Sequence, residues 1–169
     1  VILRQPALFD AGPLIHLAEL GLLDLLNLFK KRYTTKQVLF EVEVHYHAGI
    51  TEKHVDLCVG VDSTPQIVYD IAKIFSLDAG EISVLSCILL FHPNAIFVSD
   101  DSAARLSSDT LKIESVGTLG IIIKGGTLGL IPKPEALDAL RSIPNRTSLF
   151  IKKELLSEII QKTHNAWRL

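Results

Sequence analysis

Twice in this chain an apolar run too short to be a helix ends in aspartate just before a helical pattern begins. The first is Ala7-Leu8-Phe9, closed by Asp10; the second is Ala95-Ile96-Phe97-Val98-Ser99, closed by Asp100-Asp101. Runs of this length and β-propensity, uninterrupted by polar residues, read as strands buried on both faces. After Asp10, Gly12 permits a tight turn and Pro13 suits the first position of a helix, where its missing N–H costs nothing. After Asp101 a helix is expected through Ala103, Ala104 and Leu106. Strands that alternate with helices predict βαβ units, hence an α/β fold of three layers (α/β/α) around a mostly parallel central sheet. Parallel strands bring their carboxyl ends to one edge, where open α/β sheets bind ligands. Asp10 and Asp100/Asp101 are thus expected on the same rim.

The remaining segments fill in that pattern. Leu14 to Leu28 reads as two short helices joined near Gly21, with His16 as a structural or surface residue. Lys30-Lys31-Arg32 suits a helix C-terminus and Tyr33-Thr34-Thr35 a short strand. Lys36 to His47 reads as a helix with Val38, Leu39, Val42 and Tyr46 on one side. Glu41 and Glu43 flank that stripe from opposite sides, so periodicity does not say which points inward. His45 and His47 diverge on a helix and are poorly spaced to share a metal. Gly49 to Thr64 is read as a helix and a polar loop, and Gln66-Ile67-Val68-Tyr69 as a strand or an extended entry to the next helix.

Asp78-Ala79-Gly80-Glu81 opens a helix carrying Ile82, Val84, Leu85, Ile88 and Leu89. Asp followed three residues later by Glu is close to a capping box. Yet Glu81 also shares a face with Val84, Leu85 and Ile88, which starts the buried side of the helix with a charge that needs a cation, a metal or a proton. Further on, Lys112 to Val116 is a strand and Gly117-Thr118-Leu119-Gly120 a turn into an apolar helix, Ile121 to Lys124. A helix from Pro134 to about Ile143 follows, then a Pro144-Asn145-Arg146 loop, and Ser148 caps a last amphipathic helix with Leu149, Ile151, Leu155, Leu156, Ile159 and Ile160.

Length and charge limit what such a fold can serve. The 169 residues are read as a single domain, with a core over about 7–125 and a C-terminal helical extension over about 133–164. A net charge of −2 argues against broad attraction to nucleic acid or anionic membrane, so such contacts must come from local basic clusters. The longest run free of Asp, Glu, Lys and Arg, Ile82 to Ser99, is broken by His92-Pro93-Asn94, and no membrane association is expected. No signal-peptide pattern opens the sequence. Cys58 and Cys87, far apart and without CxxC spacing, are read as buried free thiols of a cytoplasmic protein.

Several carboxylates on one rim repel one another unless a cation neutralises them. Hard oxygen donors at this density suit Mg²⁺ or Mn²⁺, the ions of phosphoryl and phosphodiester chemistry. Two phosphotransfer readings fit less well. An aspartyl-phosphate phosphatase needs a second acid two residues beyond Asp10, where Gly12 stands, and Lys124 is poorly placed for a receiver-type phosphoacceptor.

Taken in order, Asp10-Ala-Gly-Pro-Leu-Ile, Val38-Leu-Phe-Glu41, Leu77-Asp-Ala-Gly-Glu81, Val98-Ser-Asp-Asp101-Ser-Ala-Ala-Arg105 and Val116-Gly-Thr-Leu-Gly120 resemble the PIN-domain ribonucleases. The likeness is to a prokaryotic branch with a longer C-terminal region, related to VapC-type toxins of toxin–antitoxin pairs, and it runs from about Ala7 to Ile160. It implies a metal-dependent endonuclease acting on single-stranded RNA, with Asp10, Glu41, Glu81 and Asp101 binding the metal and orienting the attacking water. It selects Glu41 over Glu43. Asp100 shares the duty, since the Asp pair aligns only to within one residue. Ser99 matches a small hydroxyl beside the metal, and Arg105 either pairs with an acid or touches the substrate backbone. The proline common before the second motif is missing at Thr35-Lys36. Implied partners are RNA, an antitoxin protein and a second copy of the chain in a dimer. The alternative is a catalytically degenerate PIN-fold module that binds RNA or protein.

Overall fold

In the computed structural model, which describes Leu3, residues 5–45, Ile50, residues 54–58 and residues 63–168, both aspartate-tipped runs lie in the middle of one sheet. Strand β1 (Ala7–Phe9) is central, between β2 (Arg32–Thr34) and β4 (Ile96–Val98); β3 (Asp56–Leu57) and β5 (Ser115–Val116) form the edges. The order is β3-β2-β1-β4-β5 and every pairing is parallel. Every residue of β1 and β4 is buried, as strands covered by helices on both faces require. The register pairs Phe9 with Val98, so Asp10 and Ser99 leave the sheet side by side.

Helices α1 (Ala11–Leu20), α2 (Lys36–His45), α3 (Gln66–Phe75), α4 (Ala79–Phe91), α5 (Ser102–Thr110) and α6 (Thr118–Leu128) connect or flank the strands. Helices α7 (Lys133–Arg146) and α8 (Lys153–Trp167) follow, with α6 packed on α7 and α7 on α8 and α1. A 3-10 turn, Leu23–Leu28, follows α1 after Gly21, whose left-handed backbone (φ 73°) ends the helix. Phe9, Phe97, Leu8, Leu17, Leu85 and Ile122 are among the fully buried side chains of the core. Among the described residues no helix is long and apolar enough to cross a membrane.

Several expectations are corrected. Gln66-Ile67-Val68-Tyr69 is the start of α3, with Val68, Ile71 and Ala72 on its buried side; four mostly apolar residues fit a strand and a helix equally until the longer period is followed. Gly12 and Pro13 lie inside the first turn of α1, which begins at Ala11 directly after Asp10. Gly120 likewise lies within α6, which starts at Thr118. The strand expected from Lys112 shrinks to Ser115–Val116, because Lys112 adopts a left-handed backbone (φ 58°) as the chain leaves α5. Pro144 sits in the last turn of α7, where its missing N–H forfeits a single helical bond. Ser148 caps nothing: its N–H and hydroxyl both donate to Glu19 of α1, and α8 starts five residues later. In the Gly49–Thr64 stretch the described part contains β3, while Tyr46 and His47 lie outside the described residues.

The cysteines are not free thiols. Cys58 and Cys87 form a disulfide. Cys58 follows β3 and its N–H donates to Thr34 O on β2, which brings it beneath α4 and to within 6.8 Å (Cα–Cα) of Cys87 despite a sequence separation of 29.

Candidate metal and catalytic site

The site is built at the carboxyl edge of β1 and β4. The Asp10 backbone N–H continues the ladder to Val98 O (2.9 Å), which fixes where the side chain leaves the sheet. That carboxyl is only 7% exposed, and its Oδ2 accepts the Ser99 hydroxyl at 3.0 Å. Burial pushes its pKa up to about 6, against the pull of the Ala11 N–H and the Ser99 hydroxyl; the charges of Asp78 and Glu41 push it further up.

Glu81 arrives from the opposite side, on the first turn of α4. The capping box is complete: Asp78 Oδ1 accepts the Glu81 N–H (2.8 Å) and Glu81 Oε2 accepts the Asp78 N–H (2.9 Å). The same side chain is buried, so the capping and core-facing readings of the sequence are both true. Burial pushes the Glu81 pKa up to about 7, and the charges of Asp78, Asp10 and Asp101 add to that rise against the Asp78 N–H.

Helix α2 supplies Glu41, half-buried where Glu43 is exposed, so the inward acid is Glu41. Its carboxylate lies over the first turn of α4: a Cβ added to Gly80 would stand 2.8 Å from Glu41 Oε2. The two helices are fastened beside it. Ser83 Oγ donates to Gly80 O (2.7 Å), and the Thr35 hydroxyl, which accepts the Val38 N–H at the start of α2, lies 2.6 Å from Ser83 Oγ.

Asp100 and Asp101 differ in their hydrogen bonds. Asp101 caps α5 by accepting the Ala104 N–H (2.8 Å), and its own N–H donates to Ser99 Oγ (3.2 Å), which keeps it on the Asp10 side. Asp100 turns the other way. It accepts His16 Nδ1–H (2.7 Å), the Thr118 N–H (2.7 Å) and the Thr118 hydroxyl (2.5 Å), joining α1 to α6. Asp100 therefore stands apart from the other acids, its oxygens already engaged. Ser99 is fully buried, and its hydroxyl oxygen is shared between Asp10 and the Asp101 N–H. Arg105 is exposed and, among the described residues, forms no ion pair, so of its two expected roles the pairing with an acid is not seen.

The structure thus brings Asp10, Glu41, Glu81 and Asp101 to one rim, with Asp78 as a fifth acid that the sequence had marked only as a cap. Glu81 is near enough to Asp10 and Asp101, and Asp10 to Glu41, for each charge to disfavour the next. Among the described residues no Lys or Arg forms an ion pair with Asp10, Glu81 or Asp101. Buried carboxyls that keep protons close to neutrality, and lack a basic partner, are a donor set that a hard divalent cation neutralises. Among the described residues, the group of three ligand-type side chains with donor atoms within 4.8 Å of one another is Cys58, Cys87 and His92, and its two sulfurs are bonded to each other.

Three contributors escaped the sequence reading. His16 and Thr118 hold Asp100 from positions far along the chain, and Gly80 leaves the space that Glu41 occupies. Only Gly80 had a signal, a glycine where the first turn of a helix would gain from alanine. A family model described as a PIN domain, a family of nuclease type, matches residues 6–165. No curated protein and no solved structure matches the chain.

Proposed function

We propose that this chain, which belongs to the PIN-domain family, is a divalent-metal-dependent endoribonuclease that hydrolyses phosphodiester bonds in single-stranded RNA. The observation that carries the reading is the buried pair Asp10 and Glu81, whose carboxyls burial holds above the usual carboxylate range, on a rim they share with Glu41 and Asp101. In this reading Asp10, Glu81 and Asp101 hold the Mg²⁺ or Mn²⁺ ion. When bound, such an ion lowers the pKa of water and offsets charge growing on the phosphate during in-line displacement. Glu41, half-exposed beside them, orients the attacking water and accepts hydrogen bonds from it. Water adds to phosphorus as one P–O ester bond breaks, with the leaving oxygen taking a proton. Ser99 positions Asp10 and Asp101 relative to each other, and Arg105 meets a substrate phosphate.

The narrower reading is the toxin of a toxin–antitoxin pair: a cytoplasmic homodimer held in check by an antitoxin protein. What supports it is the resemblance of the five motifs to the VapC-related branch. Residues 1–169 are read as one PIN domain, with α7 and α8 as its C-terminal extension.

The test is a random-sequence single-stranded RNA pool incubated with the full chain and Mn²⁺, with new ends mapped by sequencing. Cleavage that disappears with EDTA and in Asp10→Asn supports the reading. Cleavage that survives in folded Asp10→Asn overturns the assignment of the site.

A further inference from the structure

Beside Asp100 the chain forms a groove of about 650 Å³, bounded by α5, β5 and α6 on one wall and by the segment leading into α8 on the other. Its floor is apolar, from Val116, Leu119 and Ile123, and its outer wall carries Phe150 and Lys152. Phe150 is 88% exposed, an aromatic ring left in water beside a cavity of ligand size. Two cations, Arg105 and Lys152, line the groove, and its one acid, Asp100, already accepts three hydrogen bonds. In a chain of net charge −2 this wall is a local basic exception facing an apolar floor.

We propose that this groove seats the nucleotide next to the scissile phosphate, with its base on the apolar floor against Phe150 and its phosphate between Arg105 and Lys152. The proposal deepens the nuclease reading and rests on it. Three observations favour a single-stranded nucleic acid as the occupant. The groove is lined by Asp100, whose neighbour in sequence, Asp101, stands on the acid rim. Gly117 also lines it; a Cβ there would come within 2.7 Å of Asp100 Oδ1 and 3.7 Å of Arg105 Nη1, so glycine keeps this wall free of side-chain atoms. Finally, an exposed aromatic ring with flanking cations and an apolar floor offers a base a stacking face and the backbone a counter-charge, with no edge-specific donors to demand one sequence.

The probe is a fluorescein-labelled random-sequence RNA octamer, with binding read by anisotropy across a salt series in Mg²⁺. The parent is the full-length Asp10→Asn chain, in which the cleavage reading expects no turnover, and Phe150→Ala and Lys152→Ala are compared in that background. Both changes are at exposed side chains, and circular dichroism checks the fold. Phe150→Ala is expected to weaken binding about fivefold or more with the salt slope unchanged. Lys152→Ala is expected to weaken it and to reduce the slope by about one phosphate contact. Calorimetry with Mn²⁺ on the same two substitutions in the otherwise wild-type chain is expected to match wild type, which separates the groove from the acid site. RNA binding equal to the parent in both variants overturns the proposal and leaves the groove to a protein segment. No RNA binding by the parent, with Mn²⁺ bound normally by wild type, overturns the groove proposal alone; loss of Mn²⁺ binding in wild type strikes the nuclease reading itself.

Discussion

Ser99 donates its hydroxyl proton to Asp10 across 3.0 Å, from a position with no solvent exposure. The same oxygen accepts the Asp101 N–H at 3.2 Å, so one small side chain sets the spacing of two acids that come from different strands. The sheet register makes this contact unavoidable, since Phe9 pairs with Val98 and the next residues emerge together.

Ser99→Ala removes a hydrogen bond to a carboxylate without removing a carboxylate. The fold should lose about 1–2 kcal/mol. Without that donor the Asp10 pKa rises above about 6, and Mn²⁺ affinity near neutral pH should fall several-fold, with the deficit shrinking as pH rises. Calorimetry at two pH values checks this; a deficit independent of pH would mean that Ser99 acts by geometry alone.

Asp10 and Glu81 have folded pKa values raised to about 6 and about 7 from 3.8 and 4.5. The native state therefore binds more protons than the unfolded chain between roughly pH 4 and 7, and stability falls as pH rises through that window. Chelator-treated protein should melt at a lower temperature at neutral pH than near pH 5, other titrations being equal. Divalent cation should reverse the trend, because it replaces the lost protons. Its own binding should weaken by about 100-fold from about pH 7.5 to about pH 5.5 as those two acids protonate.

Gly80→Ala puts a methyl group where the Glu41 oxygens lie, within 2.8–2.9 Å of the added carbon. A helix interior gains from alanine by roughly 0.5–1 kcal/mol, so melting temperature should hold or rise. RNA cleavage should nevertheless fall by about tenfold or more, because a displacement of about 1 Å at a catalytic group has costs of that order. Stability and activity moving in opposite directions is the result to look for; unchanged turnover would remove Glu41 from the site.

Asp100→Ala is expected to act on the fold first. It strips the partners from His16, from the Thr118 N–H and from the Thr118 hydroxyl, and should cost about 3 kcal/mol. Where the variant stays folded, its Mn²⁺ affinity should change far less than that of Asp10→Asn. A loss of metal binding equal to that of Asp10→Asn would return Asp100 to the ligand set.

The sequence discloses what is local and what is buried on both faces. Ala7–Phe9 and Ile96–Val98 are legible because a strand under two helical layers has no polar face to confuse its pattern. Asp10, Glu81 and Asp101 follow from that, since a strand tip and a helix start are fixed by neighbours within a few residues. Family resemblance, not periodicity, selects Glu41, because two acids flanking one apolar stripe look alike until α4 packs against α2. Asp100 and Asp101 are adjacent and chemically identical; only partners 84 positions earlier and 18 later separate their roles. The Cys58–Cys87 pairing is hidden in the sequence for the same reason, as it depends on Cys58 being held beside β2 and beneath α4. Gln66–Tyr69 failed locally, being too short to reveal its period.

The most direct test of the central claim is calorimetric titration of Mn²⁺ into the wild-type chain and into Asp10→Asn, both shown to be folded. The account expects binding in the wild type that is lost or weakened by about 100-fold in the variant, because the substitution removes a buried anionic ligand. Equal binding by both proteins, or none by either, would contradict it and leave the fold as a scaffold for binding RNA or protein without cleavage.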